Sequence, residues 1–444
     1  MAWEFVSLQQ GIDQAGSPIR LLWKPDAAPW KPPRVSDEYA GWGAEQDAWR
    51  SAVTLSDLSF HMSDTFLRGP GARRLLSDVS ANNLDVFAIG QAKQFVPVTY
   101  DGDIVTDGIL LRDGEESFVL SGVPAAQNWV AYHARTGGYD VEVVTDAAMD
   151  YRPDEQPRLF RLQIQGPRAL EVVQRAFGGP LPEAKFFHSV PVTLAGRSFR
   201  ALRHGMAGQP GYEFIGDDAD HDAVKETLIA AGEESGIVLV GALSYATNGV
   251  ESGWIPTPTP AIYTDPRLAD YRQAVGLFGY EGQNPLYGSF YSEDIADYYT
   301  SPWELGYGRS ISFGHDFIGR DALQAAKDAV HRTKVTLEFD RSDVARVLGD
   351  AGYLNDYGRH RIEADGVLVG TTFQSARIAP LDDVLALSLV DLGHAAPGTR
   401  VEVVWGRHPG HGTDPDADLG FPRIRATVQP APYNEFARTG YRRD

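Results

Sequence analysis

Short runs of alternating apolar and polar residues, separated by Gly and Pro, dominate residues 51–145. The runs 95–100 and 117–121 follow the two-residue period of strands, and Asp101-Gly102 lies where a hairpin turn is expected. Two stretches with the helical period, 72–80 and 125–136, interrupt them. Strands and helices mixed without strict alternation predict an α+β domain over residues 51–150.

Residues 151–330 begin by repeating this plan. The run 160–165 alternates as a strand, Gly166-Pro167 turns the chain, and 168–177 has the helical period. Gly69-Pro70 lies between a strand pattern and a helix pattern in the same way. The shared order predicts an internal duplication into two related α+β halves, whose interface is a frequent location for a ligand site.

The two ends of the chain have different patterns. Residues 331–444 hold five or six short strand patterns, with turn signals at Asp365-Gly366 and Pro397-Gly398, which predicts a separate C-terminal β-barrel or sandwich. Residues 1–50 are rich in aromatic residues and proline. They predict a stiff, extended arm that either packs on the surface or forms one wall of a pocket for an aromatic ligand.

Residues 241–264, within the second half, combine several chemically useful side chains. They follow an apolar run and lead into three prolines, which predicts a short helix and then a stiffened, exposed loop. Tyr245, Glu251 and Trp254 converge only if this segment bends. A phenol, a carboxylate and an indole suit a flat ligand with polar edges. The alternative from spacing alone is that the two rings are core aromatics and Glu251 pairs with a neighbour.

Composition and charge narrow the possible functions. The net charge of −20 over 444 residues argues against nucleic acid or an anionic membrane as a partner. The absence of cysteine excludes disulfides, thiolate metal sites and a cysteine nucleophile, and the histidines are too scattered to predict a metal site. The sequence contains neither a signal-peptide pattern nor eighteen consecutive apolar residues, so we expect a cytoplasmic protein.

Seven motifs in order along the chain resemble the glycine-cleavage-system T protein family of folate-dependent methyl transferases. They occupy residues 59–62 with 68–70, 103–110, 163–167, 211–214, 251–253, 316–319 and 396–402. The resemblance implies a three-domain ring, with two related α+β halves followed by a C-terminal barrel. It also implies that tetrahydrofolate binds centrally.

The segment around Tyr245 makes the resemblance more specific. The T protein proper carries arginine at this position, whereas Tyr-x5-Glu-Ser-Gly-Trp-Ile-Pro is similar to bacterial aryl O-demethylases of the vanillate and syringate type. Those enzymes move a methyl group from an aromatic methoxy group to tetrahydrofolate. A tyrosine hydroxyl, with an ordinary pKa of about 10, is well matched to protonating a leaving phenol, so we expect Tyr245 to be catalytic.

The resemblance also indicates binding residues. Glu213 matches the family's pterin-binding glutamate, and the further cofactor candidates are Gln165, Trp254, Asp107 and Glu251, with Asp103 as a competitor of Asp107. The candidates for contact with the aryl substrate are His61, Tyr39, Trp30 and Val123.

Val123 departs from the vanillate-type pattern, in which an arginine holds the substrate carboxylate. Either another residue, such as Arg203 or His61, binds the acid group, or the substrate is not a simple methoxybenzoate. Two other functions stay open. One is demethylation of a different methyl donor such as dimethylsulfoniopropionate, and the other is folate binding without catalysis.

Overall fold

Three β-sheets organise the computed structural model, which describes residues 5–256, 258–349 and 352–440. Up to residue 146 its elements are α1 (Leu8–Ala15), α2 (Pro18–Leu22), α3 (Trp42–Ser51), β1 (Val53–Asp57), β2 (Ser63–Arg68), α4 (Ala72–Asp78), β3 (Ala92–Phe95), β4 (Gly108–Arg112), β5 (Ser117–Gly122), α5 (Pro124–Thr136) and β6 (Glu142–Asp146). From residue 159 to 252 they are β7 (Leu159–Gln165), α6 (Ala169–Phe177), β8 (Ser189–Leu194), β9 (Arg197–Arg203), β10 (Gly211–Asp217), α7 (His221–Gly232), β11 (Ile237–Val240) and α8 (Ala242–Ser252).

The remaining elements begin with three short helices. These are α9 (Ala269–Ala274), α10 (Tyr280–Gln283) and α11 (Arg320–Ala326). The C-terminal part contains β12 (Arg332–Phe339), α12 (Arg341–Leu348), β13 (Asn355–Asp356), β14 (Arg361–Ala364), β15 (Val367–Ile378), β16 (Asp383–Asp391), β17 (Arg400–Val404), β18 (Arg423–Gln429) and α13 (Glu435–Thr439).

The first fifty residues are more helical than expected. Ser7 caps α1 in a capping box with Gln10, and Ser17 caps α2. These polar caps satisfy backbone N–H groups that an extended arm would leave to solvent. The extended geometry expected here is therefore wrong for α1 to α3. Among the described residues before β1, the longest part without a regular helix or strand is the stretch between α2 and α3.

The central sheet has six strands in the order β11-β1-β7-β10-β9-β8. β1 runs parallel to β11, and its other neighbour β7 is antiparallel. Strand β7 shows why the faces differ: Leu162 and Ile164 pack into a core with α6 and α7, whereas Arg161, Gln163 and Gln165 alternate with them and so lie on the opposite face. That face is polar yet buried.

A second, antiparallel sheet has five strands in the order β3-β4-β5-β2-β6. It packs with α4 and α5 against the first helices and against residues 262–298, forming the largest core cluster. The strand pattern at 95–100 is wrong beyond Phe95. There the backbone N–H of Val96 donates to the side chain of Asn82 at 2.8 Å, and Pro97 has no N–H to offer a ladder.

The two Gly-Pro pairs leave their strands in the same conformation. Gly69 follows β2 and Gly166 follows β7, each with φ of +127°, and a helix begins after each. A Cβ on Gly69 would lie 2.8 Å from the carbonyl oxygen of Asp140, and one on Gly166 would lie 2.6 Å from that of Ala52. Only glycine fits both the dihedral angle and the close approach. The repeated strand–Gly-Pro–helix pattern is thus present in both sheets.

The C-terminal sheet closes into a barrel. Its strands follow the order β15-β14-β17-β18-β12-β16, and β16 pairs with β15 to complete the ring, while β13 extends from β15. Apolar side chains such as Leu337, Val403 and Val428 fill the barrel. The prediction of two α+β halves and a C-terminal β-barrel is confirmed. The boundaries at residues 50, 150 and 330 stay predictions. Within the described residues, the helices are all too short or too polar to span a membrane.

Candidate active site

Two cavities share a wall made of Met62, Met206, Tyr245 and Trp254. The first, here called the tyrosine cavity, has a volume of about 410 Å³ and is lined by Tyr151, Tyr245, Tyr280, Tyr287 and Tyr357 together with apolar groups. The second, here called the sheet cavity, has a volume of about 600 Å³ and lies against residues of β4, β5, β7, β9 and β10. Both volumes fall in the range of small-molecule sites.

Helix α8 carries Tyr245 to the shared wall. Gly241 precedes the helix in an extended conformation, and Gly253 ends it with a left-handed φ of +66° while its N–H donates to Gly249. Trp254 follows this turn directly, so the segment bends as the sequence requires. The loop after it differs from the exposed loop expected, because residues 258–263 are buried.

Tyr245 and His61 form a contact pair. Tyr245 Oη and His61 Nε2 are 3.1 Å apart, and the ring centroids are 5.0 Å apart. Trp30 covers the other side of His61, with ring centroids 5.8 Å apart, and its indole N–H donates to Asp150 at 3.2 Å. Trp30 keeps 41% of its surface exposed, so it lies at the mouth of the tyrosine cavity.

Burial keeps both members of this pair neutral at pH 7. It raises the pKa of Tyr245 well above the ordinary value, and the charge of Glu213 adds to the rise. Burial, helped by the positive charge of Arg161, lowers the pKa of His61 to about 4. The pair therefore holds a phenol proton and an uncharged imidazole, and His61 Nδ1 has no hydrogen-bond partner among the described residues.

A buried ion cluster borders the sheet cavity. Arg161 donates to Glu213 Oε1 at 2.7 Å and to Asp64 Oδ1 at 2.6 Å, and Ser121 Oγ also lies 2.5 Å from the guanidinium. Burial opposes the charge of Arg161, but the two carboxylates raise its pKa above the ordinary value. Glu213 and Arg161 both line the cavity, so the cluster presents fixed charges to it.

Asp107 lies behind Trp254. Its Oδ2 accepts from the indole of Trp254 at 2.6 Å, from Tyr307 Oη at 2.8 Å and from Gln94. Oδ1 is buried and lacks a protein hydrogen-bond partner within the described chain. Burial raises the pKa of Asp107 to about 6, against the effect of the donors. Asp103, its competitor in the sequence, lies instead near Glu304 and Arg332.

Two buried glutamines extend the polar face of the central sheet. Both amide atoms of Gln163 and the Nε2 of Gln165 have no hydrogen-bond partner within the described chain. Gln165 Oε1 accepts from the backbone of Met206 at 3.2 Å. Because a buried amide without a partner is costly, this face is suited to a polar ligand or to ordered water.

Four predicted residues are absent from the linings of both cavities: Gln165 and Asp107, whose contacts are given above, and Glu251 and Tyr39. Glu251 accepts from Arg50 and from the indole of Trp49, so its two oxygens tie α8 to α3. This matches the alternative in which Glu251 pairs with a neighbour, and the geometry offers no support for cofactor contact. Tyr39 is 47% exposed and does not line either cavity. Val123 does line the tyrosine cavity, at the start of α5.

The barrel contributes cavity residues that the sequence motifs do not indicate. Tyr357, Arg359 and Gln374 line the tyrosine cavity, and Gln374 donates to the carbonyl of Ala246 in α8 at 2.7 Å. These residues are more than 100 positions from Tyr245, and no local pattern links them. Groups of three or more potential metal ligands are absent from the described part of the chain.

Comparisons with known proteins agree with this architecture. Residues 25–258 match the family model of the GCVT N-terminal domain. The chain is 37% identical to a syringate O-demethylase of Sphingobium sp. (strain NBRC 103272 / SYK-6), over 98% of this chain and 97% of that protein. It is 30% identical to a sesamin methylene transferase of Sinomonas sp. (strain No.22), over 89% of each.

A solved structure matches the fold over nearly the whole length. The glycine cleavage system aminomethyltransferase T from Bartonella henselae aligns with a TM-score of 0.61, at 19% identity and over 96% of each chain. At that identity the likeness concerns the fold alone. The family model covers more than half of the 444 residues, and the relatives extend the match to the rest. The chain therefore belongs to the GCVT family, whose fold is that of the glycine-cleavage aminomethyltransferase T.

Proposed function

We propose that this protein transfers a methyl group from a methoxylated aromatic compound to tetrahydrofolate, releasing a phenol and 5-methyltetrahydrofolate. The observation that carries the proposal is the wall shared by two cavities, with the Tyr245 hydroxyl at the junction. An aryl ether in the tyrosine cavity and a folate in the sheet cavity would meet at that wall. The 37% identity to a syringate O-demethylase supports this substrate class. A cytoplasmic location is part of the proposal.

The sheet cavity, together with buried polar groups next to its lining, has the hydrogen-bonding groups that a pterin requires. A pterin edge offers paired N–H donors and ring acceptors, which suit a carboxylate and an amide. Glu213 lines the cavity, and Gln163 and Gln165 have amide atoms without protein partners on the same face of the central sheet. Asp107 Oδ1 is a further buried acceptor without a partner in the described chain. We assign the binding of tetrahydrofolate to these groups, with Trp254 packing between the cavities.

Tyr245 acts as the acid in this proposal. When bound, tetrahydrofolate supplies the nitrogen that accepts the methyl group and gives up one proton, which balances the proton gained by the aryl oxygen. Tyr245 Oη donates its proton to that oxygen as the oxygen–methyl bond breaks. The leaving group therefore departs as a neutral phenol, and the negative charge that would form on its oxygen passes to Tyr245 Oη.

His61 supports this transfer as an uncharged donor. With its hydrogen on Nε2, the imidazole donates to Tyr245 Oη across the 3.1 Å contact and leaves the phenol proton free to point at the substrate. The same bond stabilises negative charge on Oη after the transfer. Trp30 shields the pair from solvent on the side of the cavity mouth, and Val123 leaves room beside the ring of the substrate.

The first experiment incubates the purified protein with tetrahydrofolate and a panel of methyl donors. The panel holds methoxylated aromatic acids and dimethylsulfoniopropionate, each with deuterated methyl groups. Mass spectrometry then follows the label into 5-methyltetrahydrofolate, and chromatography follows the phenol. We expect labelled product and phenol in equal amounts with at least one aromatic acid.

The other outcomes separate the alternatives. Product with the sulfonium compound alone would assign the protein to demethylation of that donor. Folate binding with no product from any donor would leave a binding protein of the same fold. Either result would refute the proposed function.

A further inference from the structure

The tyrosine cavity contains a buried cation contributed by the barrel. Arg359 is the one arginine or lysine among the described residues that line it, and only 5% of its surface is exposed. The acidic residue in the same lining, Asp150, is exposed at the mouth beside Trp30. The cavity is therefore acidic at its mouth and basic at a buried point of its wall.

The backbone of Arg359 is held rigidly. Its N–H donates to the carbonyl of Tyr287 at 2.7 Å, and its carbonyl accepts from Phe290 at 2.8 Å. Gly288, with φ of +125°, allows this approach, because an added Cβ would lie 2.3 Å from the Arg359 carbonyl oxygen. A cation fixed in this way loses little conformational freedom when a ligand binds.

The side chain of Arg359 is also fixed. The guanidinium lies over the ring of Phe373, 4.0 Å from its centroid, and Nη1 donates to the carbonyls of Tyr357 at 3.2 Å and Phe373 at 3.3 Å. Burial lowers the pKa of Arg359 to about 10, with the phenols of Tyr287 and Tyr280 among the groups that oppose the shift. The group is thus positively charged at neutral pH, and carbonyls are weaker partners for it than an anion would be.

Other basic groups named by the sequence do not occupy this position. Arg203 donates to the carbonyl of Ala184 at 2.8 Å, and it is absent from the lining of the tyrosine cavity as described. His61 lines the cavity but is neutral and bonded to Tyr245. Val123 supplies no charge. A planar guanidinium matches the two oxygens of a carboxylate better than any of these.

We propose that Arg359 binds the carboxylate of a methoxylated aromatic acid whose ether oxygen faces Tyr245. This inference rests on the proposed function for the reaction, but the binding step stands by itself. A rigid ring between a cation and a phenol has its acid group and its methoxy group fixed in one orientation. The acid group is then bound by an arginine of the barrel and not by a residue at the start of α5. Val123 is therefore compatible with an acidic substrate.

The test compares ligands of the same shape in the absence of tetrahydrofolate. Calorimetry measures the affinity of 4-hydroxy-3,5-dimethoxybenzoate, of its primary amide and of 2,6-dimethoxyphenol for the wild-type protein, Arg359→Met and Arg359→Lys. Wild type should prefer the acid to the amide by about 10- to 100-fold, as expected of one charge-assisted hydrogen-bonded pair. Arg359→Met should reduce that ratio to about 1, and Arg359→Lys should restore part of it. Arg203→Met, a matched loss of charge outside the cavity, should keep the wild-type ratio.

Each contrary outcome refutes the assignment. A wild-type protein that binds acid and amide equally, or an Arg359→Met protein that keeps the preference, would exclude Arg359 as the carboxylate partner. Binding of the phenol as tight as that of the acid would show that the carboxylate contributes nothing to recognition, because the phenol is uncharged at neutral pH. Because the assay needs no turnover, a failure of methyl transfer leaves its result intact. If wild type prefers the acid, Arg359→Met loses that preference, and methyl transfer occurs only from another donor, then only the proposed reaction is refuted.

Discussion

Replacing Tyr245 by phenylalanine removes one hydroxyl from the wall between the two cavities. The ring remains, so its packing beside Trp254 and Met206 is kept. General acid catalysis typically contributes about 10²- to 10⁴-fold to a rate. We therefore expect kcat to fall by that factor, which corresponds to about 3–5 kcal/mol of transition-state stabilisation. The KM values for both reactants should change little, because neither is bound mainly through the lost proton.

The substitution also has a structural cost that can be measured separately. His61 Nε2 loses its 3.1 Å partner, while Nδ1 already has no partner in the described chain. A buried imidazole nitrogen without a partner costs about 1–3 kcal/mol, so the melting temperature should drop modestly. Kinetics must accordingly be measured well below the unfolding transition of the variant.

The matched control for Tyr245→Phe is Tyr353→Phe. Tyr353 Oη donates to the carbonyl of Leu243 in the same helix α8 at 3.1 Å, and neither cavity includes Tyr353 in its lining. This control should lose a similar amount of stability and keep its turnover. Single-turnover measurements of phenol release in both variants separate chemistry from product release. A Tyr245→Phe protein within about threefold of wild type in that assay would refute the role of the tyrosine as the proton donor.

Three further substitutions, two of them with matched controls, test other parts of the site. Asp107 binds its proton more tightly when folded, since burial raises its pKa to about 6. The tighter proton binding stabilises the folded protein fully below pH 4. This contribution to the unfolding free energy, about 3 kcal/mol, is lost as the pH rises through 6. Asp107→Asn should therefore gain that much relative to wild type between pH 4 and pH 7 in urea unfolding. Asp103→Asn, whose pKa is also raised to about 6, should gain similarly but keep methyl transfer. Trp30→Ala should raise KM for the aryl substrate about 3- to 10-fold through loss of ring packing, whereas Tyr39→Ala, outside the lining, should not. Glu251→Gln breaks a buried ion pair and should lower the unfolding free energy by about 3–5 kcal/mol. The folate affinity of the folded protein should not change. Unchanged stability with weaker folate binding would contradict the structural role of Glu251.

Local patterns were sufficient for much of the fold. The helical periods at 125–136 and 168–177 correspond to α5 and α6, and the Gly-Pro pairs mark both strand exits. The helices before residue 52 were not predicted, because aromatic and proline content outweighed the serine caps of α1 and α2, and α3 begins after Gly41 without a side-chain cap. Periodicity describes one segment at a time, so it does not report which segments pack together.

The same distinction applies to the candidate site: residues within local motifs could be predicted from the sequence, and a residue brought in by packing could not. Tyr245, Trp254 and His61 lie within recognisable motifs and meet in the structure. Arg359 lies between the short strands β13 and β14, and it reaches the cavity through tertiary packing, in which β13 and β15 contact α8. Glu251 shows the converse, because its motif suggests a ligand contact but its carboxylate is already engaged by Arg50.

The charge balance of the tyrosine cavity links the acid catalyst to the buried cation. Arg359 can compensate one negative charge on a bound aromatic acid, and the raised pKa of Tyr245 and the lowered pKa of His61 show that the cavity does not favour further charge. If the methyl group left without proton transfer, the substrate would carry a second negative charge, on the phenolate oxygen. That charge would have no second cation in the described cavity lining. A proton from Tyr245 moves that charge to Oη, where the hydrogen bond from His61 Nε2 stabilises it. The single arginine and the phenol therefore fulfil complementary requirements: Arg359 binds the charge that stays on the substrate, and Tyr245 takes over the charge that would form on its ether oxygen.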